Sequence, residues 1–336
     1  MPEDILISII VPTLNSEKVL EKALVSVRNQ SIDQDKIEIL VIDGGSTDRT
    51  REIAKKYNAI ILENPEVLPE PAVRIGTVYA HGKYGVRMGS DEEYTSKDHL
   101  KNRLDLFKTE PKLKNIVTAS WVTPKGKGVG EYYNSLSDPF SYFVYRMDSN
   151  DMLSSLLKLR HDVHSNGYVF YFTEKDIQPI SDGGVMFDLE FVREKFPEEI
   201  NKLEFVSSCF CKMIDITGCV GVIKGETIIH DCSPSFLNFC KKLKFRVINN
   251  VHHVEGSGFE ARAVVNKTLN NRKFLYPLYC IFVVWPLWDA IFMAAKKRKV
   301  KILLHFIFNY YVFFQILWQY TRKLFKMPPR QSIYGK

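Results

Sequence analysis

The sequence predicts an α/β fold: a mainly parallel sheet flanked by helices, followed by apolar helices toward the C-terminal end. Three observations predict it. β-branched apolar runs alternate with helix-patterned stretches from residue 5 to residue 62. Three of the apolar runs stop in short Pro-, Gly- or Asp-bearing motifs. The last third of the chain is almost free of charge over two long stretches.

The elements follow in order. Residues 5–11 (ILISIIV) read as a buried strand ending at Pro12, and residues 15–29 as a helix with Val19, Leu20, Ala23, Leu24 and Val27 on one face. Residues 37–42 (IEILVI) form a second buried strand, stopped by Asp43-Gly44-Gly45. Ser46 or Thr47 caps a helix at 48–57, and 59–62 gives a third strand. That βαβαβ order calls for a parallel sheet with crossover helices. Beyond a looser segment at 63–82, a strand at 83–88 opens onto Gly89-Ser90-Asp91-Glu92-Glu93. A helix at 97–108 and a strand near 115–122 follow. Residues 124–150 read as loop, and 181–245 resume a mixed pattern that reaches the strand-like TIIHD at 227–231.

Composition sets bounds on function. The 336 residues are 45% hydrophobic and 25% charged, values of an ordinary globular protein, with a net charge of +7. The excess is local: Lys296, Lys297, Arg298, Lys299 and Lys301 form one cluster, and Arg322, Lys323, Lys326 and Arg330 another. Their place beside apolar segments points to anionic lipid rather than nucleic acid. Six cysteines make no disulfide framework or zinc-site spacing, and reduced, structural thiols in a cytosolic compartment are expected. No basic n-region with an h-region and cleavage site precedes the first strand.

In open α/β sheets ligands bind beyond the carboxyl ends of the strands. Val11-Pro12-Thr13, Asp43-Gly44-Gly45-Ser46 and Gly89-Ser90-Asp91 are three such ends. Their carboxylates accept hydrogen bonds from a base or ribose, and their glycines let backbone approach a ligand closely. Asp43-Gly44 alone also reads as a plain turn; three ends in register favour a site.

The chain here resembles the family 2 glycosyltransferases of the GT-A, Rossmann-like fold. The resemblance is carried by SIIVPTLNSEKVLEKALVSVRNQS at 8–31, EILVIDGGSTDRTREIAKKY at 38–57 and AHGKYGVRMGSDEE at 80–93. It continues through GGVMF at 183–187 to TIIHD at 227–231, about two-thirds of the chain. The resemblance implies a nucleotide-sugar donor, with Pro12, Thr13, Asn15, Glu17, Asp43, Gly44, Ser46, Ser90 and Asp91 around it and Asp43 on the base. It also implies a donor-binding half at 1–115 and an acceptor-binding half at 116–245, and the apolar stretches beyond make 246–336 a membrane-associated region.

The family's Asp-x-Asp holds Mg²⁺ or Mn²⁺ on the donor diphosphate. This chain has Gly89-Ser90-Asp91, so the first carboxylate is missing and Asp91 takes the place of the second. Glu92, Glu93 or water makes up the set, with His230 beside the diphosphate. Inverting transfer also needs a carboxylate to take the acceptor's proton. The family's Glu-Asp pair is absent from 196–218, which leaves Glu204 and, before Gly183-Gly184, Asp182 as candidates. Phe140, Tyr142, Phe143 and Tyr145 with Arg146 form either an acceptor shelf or the start of a core-packing helix.

Phe274–Ala295, with Asp289 its only charge, is long enough to cross a bilayer, and Ile302–Tyr320 is a second candidate. Were both to span, KKRKVK at 296–301 would lie opposite the catalytic domain, against the positive-inside rule. Pro277 and Pro286 fit a broken insertion. His305, Asn309, Gln315 and Gln319 share one side of a helix. Monotopic attachment to the cytoplasmic face of the cell membrane is expected, with a lipid-linked glycan as acceptor. Alternatives are a polyprenyl-phosphate monoglycosyltransferase and a non-catalytic nucleotide-sugar- or lipid-binding protein. A dinucleotide oxidoreductase is excluded, because Pro-Thr-Leu-Asn stands where the Gly-rich turn would be.

Overall fold

The computed structural model describes residues 5–124, 126, 128–145, 152–173, 183–232, 235–252 and 271–328. They divide into two compact units, Met1–Val122 with Asp151–Asp231, and Thr123–Asn150 with Cys232–Lys336. The cuts differ from the boundaries expected at 115 and 245 because the helices at 128–145 pack with the C-terminal helices.

The first unit opens with β1 (Ile7–Thr13), α1 (Leu20–Arg28), β2 (Ile37–Asp43), α2 (Thr50–Lys56) and β3 (Ile60–Glu63). Next come α3 (Pro69–Tyr79), β4 (Tyr84–Arg87), β5 (Glu92–Tyr94), α4 (His99–Phe107), β6 (Asn115–Ile116) and β7 (Trp121–Val122). After α5 (Gly128–Leu136) and α6 (Pro139–Tyr145) of the second unit, the chain returns with α7 (Met152–Leu156), β8 (His161–Val163) and β9 (Gly167–Tyr171). The unit ends with β10 (Met186–Asp188), α8 (Leu189–Lys195), α9 (Leu203–Thr217), β11 (Cys219–Ile223) and β12 (Ile228–His230).

Nine strands form one sheet in the order β3-β2-β1-β4-β10-β6-β11-β9-β8. β3, β2, β1 and β4 are parallel neighbours, and β10 runs antiparallel between β4 and β6. The strand order reverses between β1 and β4, the switch point at which a crevice opens beyond the strand ends. β1 is apolar at nearly every position because helices cover both faces of the sheet. Ile9 and Val11 join Leu24 and Val27 of α1 on one face, while Ile10 joins Ala72 of α3 on the other. A small second sheet, β5-β12-β7, sits apart from the first. The strand expected at 115–122 is thus two short strands in different sheets.

The second unit adds α10 (Phe236–His252), α11 (Tyr276–Ile281), α12 (Val284–Lys297) and α13 (Leu304–Leu324). Its core joins Tyr132 and Leu136 of α5 to Phe239, Leu243 and Val247 of α10 and Phe308 and Val312 of α13. Residues 124–150, expected as loop, therefore hold two helices. Phe140 and Phe143 pack on Tyr276 at ring separations of 5.1 and 5.4 Å, so the helix-start alternative holds and the acceptor shelf does not form from them. Tyr145 and Arg146 have no described side chains.

The first apolar stretch is broken: residues 271–281 and 284–297 bend by 99°, with Pro286 in the first turn of α12. Val300–Leu324 is long and apolar enough to cross a membrane. Its polar side turns inward. His305 and Asn309 are fully buried and Gln319 is 3% exposed, while Phe314, Leu317 and Trp318 face out. Tyr132 Oη meets His305 Nδ1 at 2.9 Å, and Tyr276 Oη donates to Asn309 Oδ1 at 3.1 Å. Cysteines 209, 219, 232, 240 and 280 are buried, and none of the last four is in a disulfide.

Candidate active site

β1 and β2 are in register from Ile7↔Ile37 to Thr13↔Asp43, so Thr13 and Asp43 end side by side at one edge of the sheet. Asp43 is fully buried and its two oxygens are engaged. Ser46 donates its amide (3.1 Å) and its hydroxyl (2.5 Å), the Thr13 hydroxyl lies at 3.3 Å, and Arg51 Nη1 at 3.1 Å. The backbones of the two strand ends are joined as well: the Gly44 amide donates to the Thr13 carbonyl at 2.9 Å. A side chain at Gly44 would press on Val67 Cα at 3.3 Å, which accounts for glycine there. Pro12, half-buried, pairs with Ile42 in the same register.

The loop after β1 is fastened to the loop after β2. The Asn15 amide donates to Ser46 Oγ at 2.8 Å, and Asn15 Oδ1 accepts the Thr47 amide at 2.9 Å. Asn15 takes φ +50°, a left-handed conformation that asparagine tolerates. Glu17 Oε2 accepts the Arg49 amide at 3.2 Å. Neither Ser46 nor Thr47 caps α2. The cap position is Arg49, without a side-chain bond, and Asp48 just before it takes the Thr50 amide and hydroxyl on Oδ1 and the Glu17 amide on Oδ2. Ser16, which sequence reasoning passed over, carries the link to the third strand end: its hydroxyl lies 3.0 Å from the Ser90 hydroxyl, across the switch point.

At that third end, Asp91 Oδ2 lies 3.5 Å from His230 Nε2, with the two side chains 31% and 17% exposed. The antiparallel pairing of β5 with β12 aligns Glu92 with His230 and Glu93 with Ile229. Alternation along the strand therefore turns Glu93 to the other face. Glu92 is buried and accepts the Gly89 amide at 2.8 Å. Burial pushes its carboxyl up, against the opposing pull of His230. A side chain at position 89 would meet Asp91 Oδ1 at 2.9 Å and Glu92 Cγ at 3.2 Å. Asp91 and Glu92 thus occupy the room a first carboxylate would need. Among the described residues no three His, Cys, Asp or Glu side chains surround one point. A partly exposed carboxylate beside an imidazole fits a divalent ion that takes its remaining ligands from phosphate and water.

A second buried cluster steadies the neighbouring turn. Arg103, fully buried, binds Glu226 through Nε at 2.7 Å and Nη2 at 2.5 Å. It also reaches the Gly184 carbonyl through Nη1 and Thr118 Oγ1 through Nη2. Gly184 has φ +60°, and a Cβ there would lie 2.5 Å from Thr118 Oγ1. A lone arginine on a helix reads as solvated in sequence, so no pattern marked it. Glu204 falls in the first turn of α9, but its side chain and all of Asp182 lie outside the described residues.

A parallel sheet that changes strand order at β1, with carboxylates and hydroxyls fastened together at the adjoining tips, defines a GT-A glycosyltransferase domain. Residues 8–168 match the profile of glycosyl transferase family 2, and this part of the chain is a domain of that family. A dolichyl N-acetyl-α-D-glucosaminyl phosphate 3-β-D-2,3-diacetamido-2,3-dideoxy-β-D-glucuronosyltransferase from Methanococcus voltae is 30% identical over 200 residues, 55% of this chain and 57% of that protein. The poly(ribitol-phosphate) β-N-acetylglucosaminyltransferase TarS of Staphylococcus aureus is 33% identical over 101 residues, 28% of this chain and 18% of that one. The chain thus spans little more than half the length of the first relative and less of the second. The mannosyltransferase PcManGT from Pyrobaculum calidifontis, solved with GDP-Man and Mn²⁺, shares the fold with a TM-score of 0.53 at 15% identity. The match covers 97% of this chain and 89% of that one.

Proposed function

We propose that this protein transfers a sugar, with inversion, from a UDP- or GDP-sugar to a lipid-linked saccharide at the cytoplasmic face of a membrane. One observation carries the donor site: Ser16–Ser90 and Asn15–Ser46 tie the ends of β1, β2 and β4 into a single edge bearing both Asp43 and Asp91. The base lies at Asp43, where Ser46 or the 40%-exposed Arg51 gives way to it. Pro12, Thr13, Asn15, Glu17 and Gly44 shape the pocket wall, and Ser90 faces the diphosphate. Asp91 and His230 hold a divalent ion, which when bound neutralises charge on the leaving diphosphate.

In the transfer an acceptor hydroxyl oxygen forms a bond to the anomeric carbon as that carbon's bond to the diphosphate oxygen breaks. The nucleoside diphosphate departs and the hydroxyl proton passes to Glu204 or Asp182. A lipid-linked acceptor is supported by the dolichyl phosphate in the name of the Methanococcus relative. It is supported too by the outward apolar side chains of α11 to α13, including Trp285, Trp288 and Trp318, each more than half exposed. Those helices lie in the interface, with basic residues at headgroup level.

Thermal unfolding with UDP- and GDP-sugars, with and without Mn²⁺, tests this reading. A donor at a hundred times its Kd adds about 2.7 kcal/mol to wild type. Asp91→Ala loses the Mn²⁺-dependent part and Asp43→Asn most of the whole. A wild-type chain that no nucleotide sugar stabilises ends the proposal, and binding without transfer to lipid-linked saccharide leaves a non-catalytic binder.

A further inference from the structure

α10 and α13 pack side by side in the second unit. Between them lies a cavity of about 170 Å³ lined by Lys244, Ile248, Trp318, Gln319 and Arg322. It holds two cations and no carboxylate. Among the described residues neither Lys244 nor Arg322 forms an ion pair. Arg322 donates to the Pro328 carbonyl through Nη2, and its Nε is buried with no hydrogen-bond partner among the described residues. Gln319 is turned inward and fixed by His252 Nε2 at 3.2 Å, which sets the cavity wall. The rest of the lining is apolar. Ile248 is 4% exposed, whereas Trp318 is 53% exposed and belongs equally to the outward face it shares with Phe314 and Leu317.

We propose that this cavity binds the phosphate of an anionic membrane phospholipid. Two uncompensated cations select an anion, and the space exceeds that of a single water. The location decides the source of the phosphate. The cavity opens where an outward apolar face meets a basic helix end, the depth at which headgroups lie and tryptophans collect. A soluble phosphate would need no such border. The inference rests on the second unit's apolar face meeting a membrane, and the test separates the two.

The full chain is sedimented with vesicles of phosphatidylcholine and with vesicles of phosphatidylcholine mixed with phosphatidylglycerol. Wild type favours the mixed vesicles. Lys244→Gln with Arg322→Gln lowers affinity for them by more than the about thirtyfold, roughly fivefold per charge, that two charges at headgroup level carry without a site. Binding to phosphatidylcholine and the thermal midpoint stay the same. Lys296→Gln with Lys297→Gln removes as much charge outside the cavity and weakens binding less. Equal losses from the two pairs, or no loss from the first, overturn the site. So does saturable binding of glycerol 1-phosphate that leaves vesicle binding unchanged, since the ligand is then soluble. A wild-type chain indifferent to all vesicles overturns the membrane reading as well, while nucleotide-sugar binding still stands by its own assay.

Discussion

Four donors hold Asp43 with none of its side chain exposed, so under the proposed donor site a nucleotide base would have to exchange hydrogen bonds there rather than fill an open socket. Asp43 was singled out because it closes one of three strand ends in register, where a plain turn would be an equal reading of Asp43-Gly44 alone. Thr13 and Ser46 were expected beside it as donor-site residues, but their hydrogen bonds to it were not read, and Arg51 was missed. Arg103 and Glu226 lie further beyond sequence reasoning, being 123 residues apart. His99 shares their pocket. It is stacked on Tyr94 at 4.2 Å, and its Nε2 lies 3.3 Å from Glu226 without hydrogen-bond geometry. Burial, and then the nearby Arg103 guanidinium, hold the His99 pKa well below the ordinary histidine range. Below pH of about 6.5 the unfolded chain takes up a proton at this position that the folded chain refuses. The contribution is therefore complete above that pH and falls away beneath it, by about 1.4 kcal/mol per pH unit. His99→Phe keeps the ring stack and removes the titration. Urea unfolding at pH 7.5, 6.5 and 5.5 is expected to show wild type losing stability relative to the variant as pH falls; parallel profiles would place a proton on folded His99.

Elements were legible where packing leaves no choice. β1 and β2 are covered on both faces, so unbroken β-branched runs marked them, and the helices between them kept their apolar spacing. α3 went unread because Pro69-Glu70-Pro71 looks like a breaker. Proline is well placed in a first helical turn, where its missing amide has no partner to lose. The helix at 128–136 went unread, and that at 139–145 was carried only as an alternative, for another reason: glycine and aromatics gave little helical signal, and tertiary packing decided their conformation. α3 also explains one glycine. A Cβ at Gly76 would stand 2.4 Å from Ile10 Cγ2 and 3.1 Å from Ile42 Cδ1. Both are β-branched or core-locked side chains with little room to yield. Gly76→Ala gains helix propensity of about 1 kcal/mol, yet overpacking costs about 1–3 kcal/mol. A net loss of stability is expected on chemical denaturation, whereas Gly225→Ala, with φ +67° and open space around it, loses stability through strain alone.

For the whole molecule, the C-terminal helices pose the question of sidedness. α13 buries His305, Asn309 and Gln319 together with Phe308 and Val312, and turns Ile307, Phe314, Leu317 and Trp318 outward, a face unlike that of a helix that meets water. With its flanking turn, Val300–Leu324 would extend about 37 Å, enough to span ~30 Å of hydrocarbon. Length alone therefore allows a hairpin. The 99° bend between residues 271–281 and 284–297 gives the partner segment no straight run of that length. Charge points the same way: Lys296 and Lys297 close α12, and Arg322 and Lys323 close α13. A hairpin would put the first pair across the membrane from the second. An interfacial arrangement keeps both at anionic headgroups on one side. Single cysteines at Lys297 and Lys326, with Lys22→Cys in the first unit as reference, distinguish the two with a membrane-impermeant maleimide, since the five described native thiols are buried. In sealed inverted membrane vesicles all three positions are expected to label equally. Protection of Lys297→Cys alone, relieved by detergent, would establish the hairpin and place the basic turn on the far side.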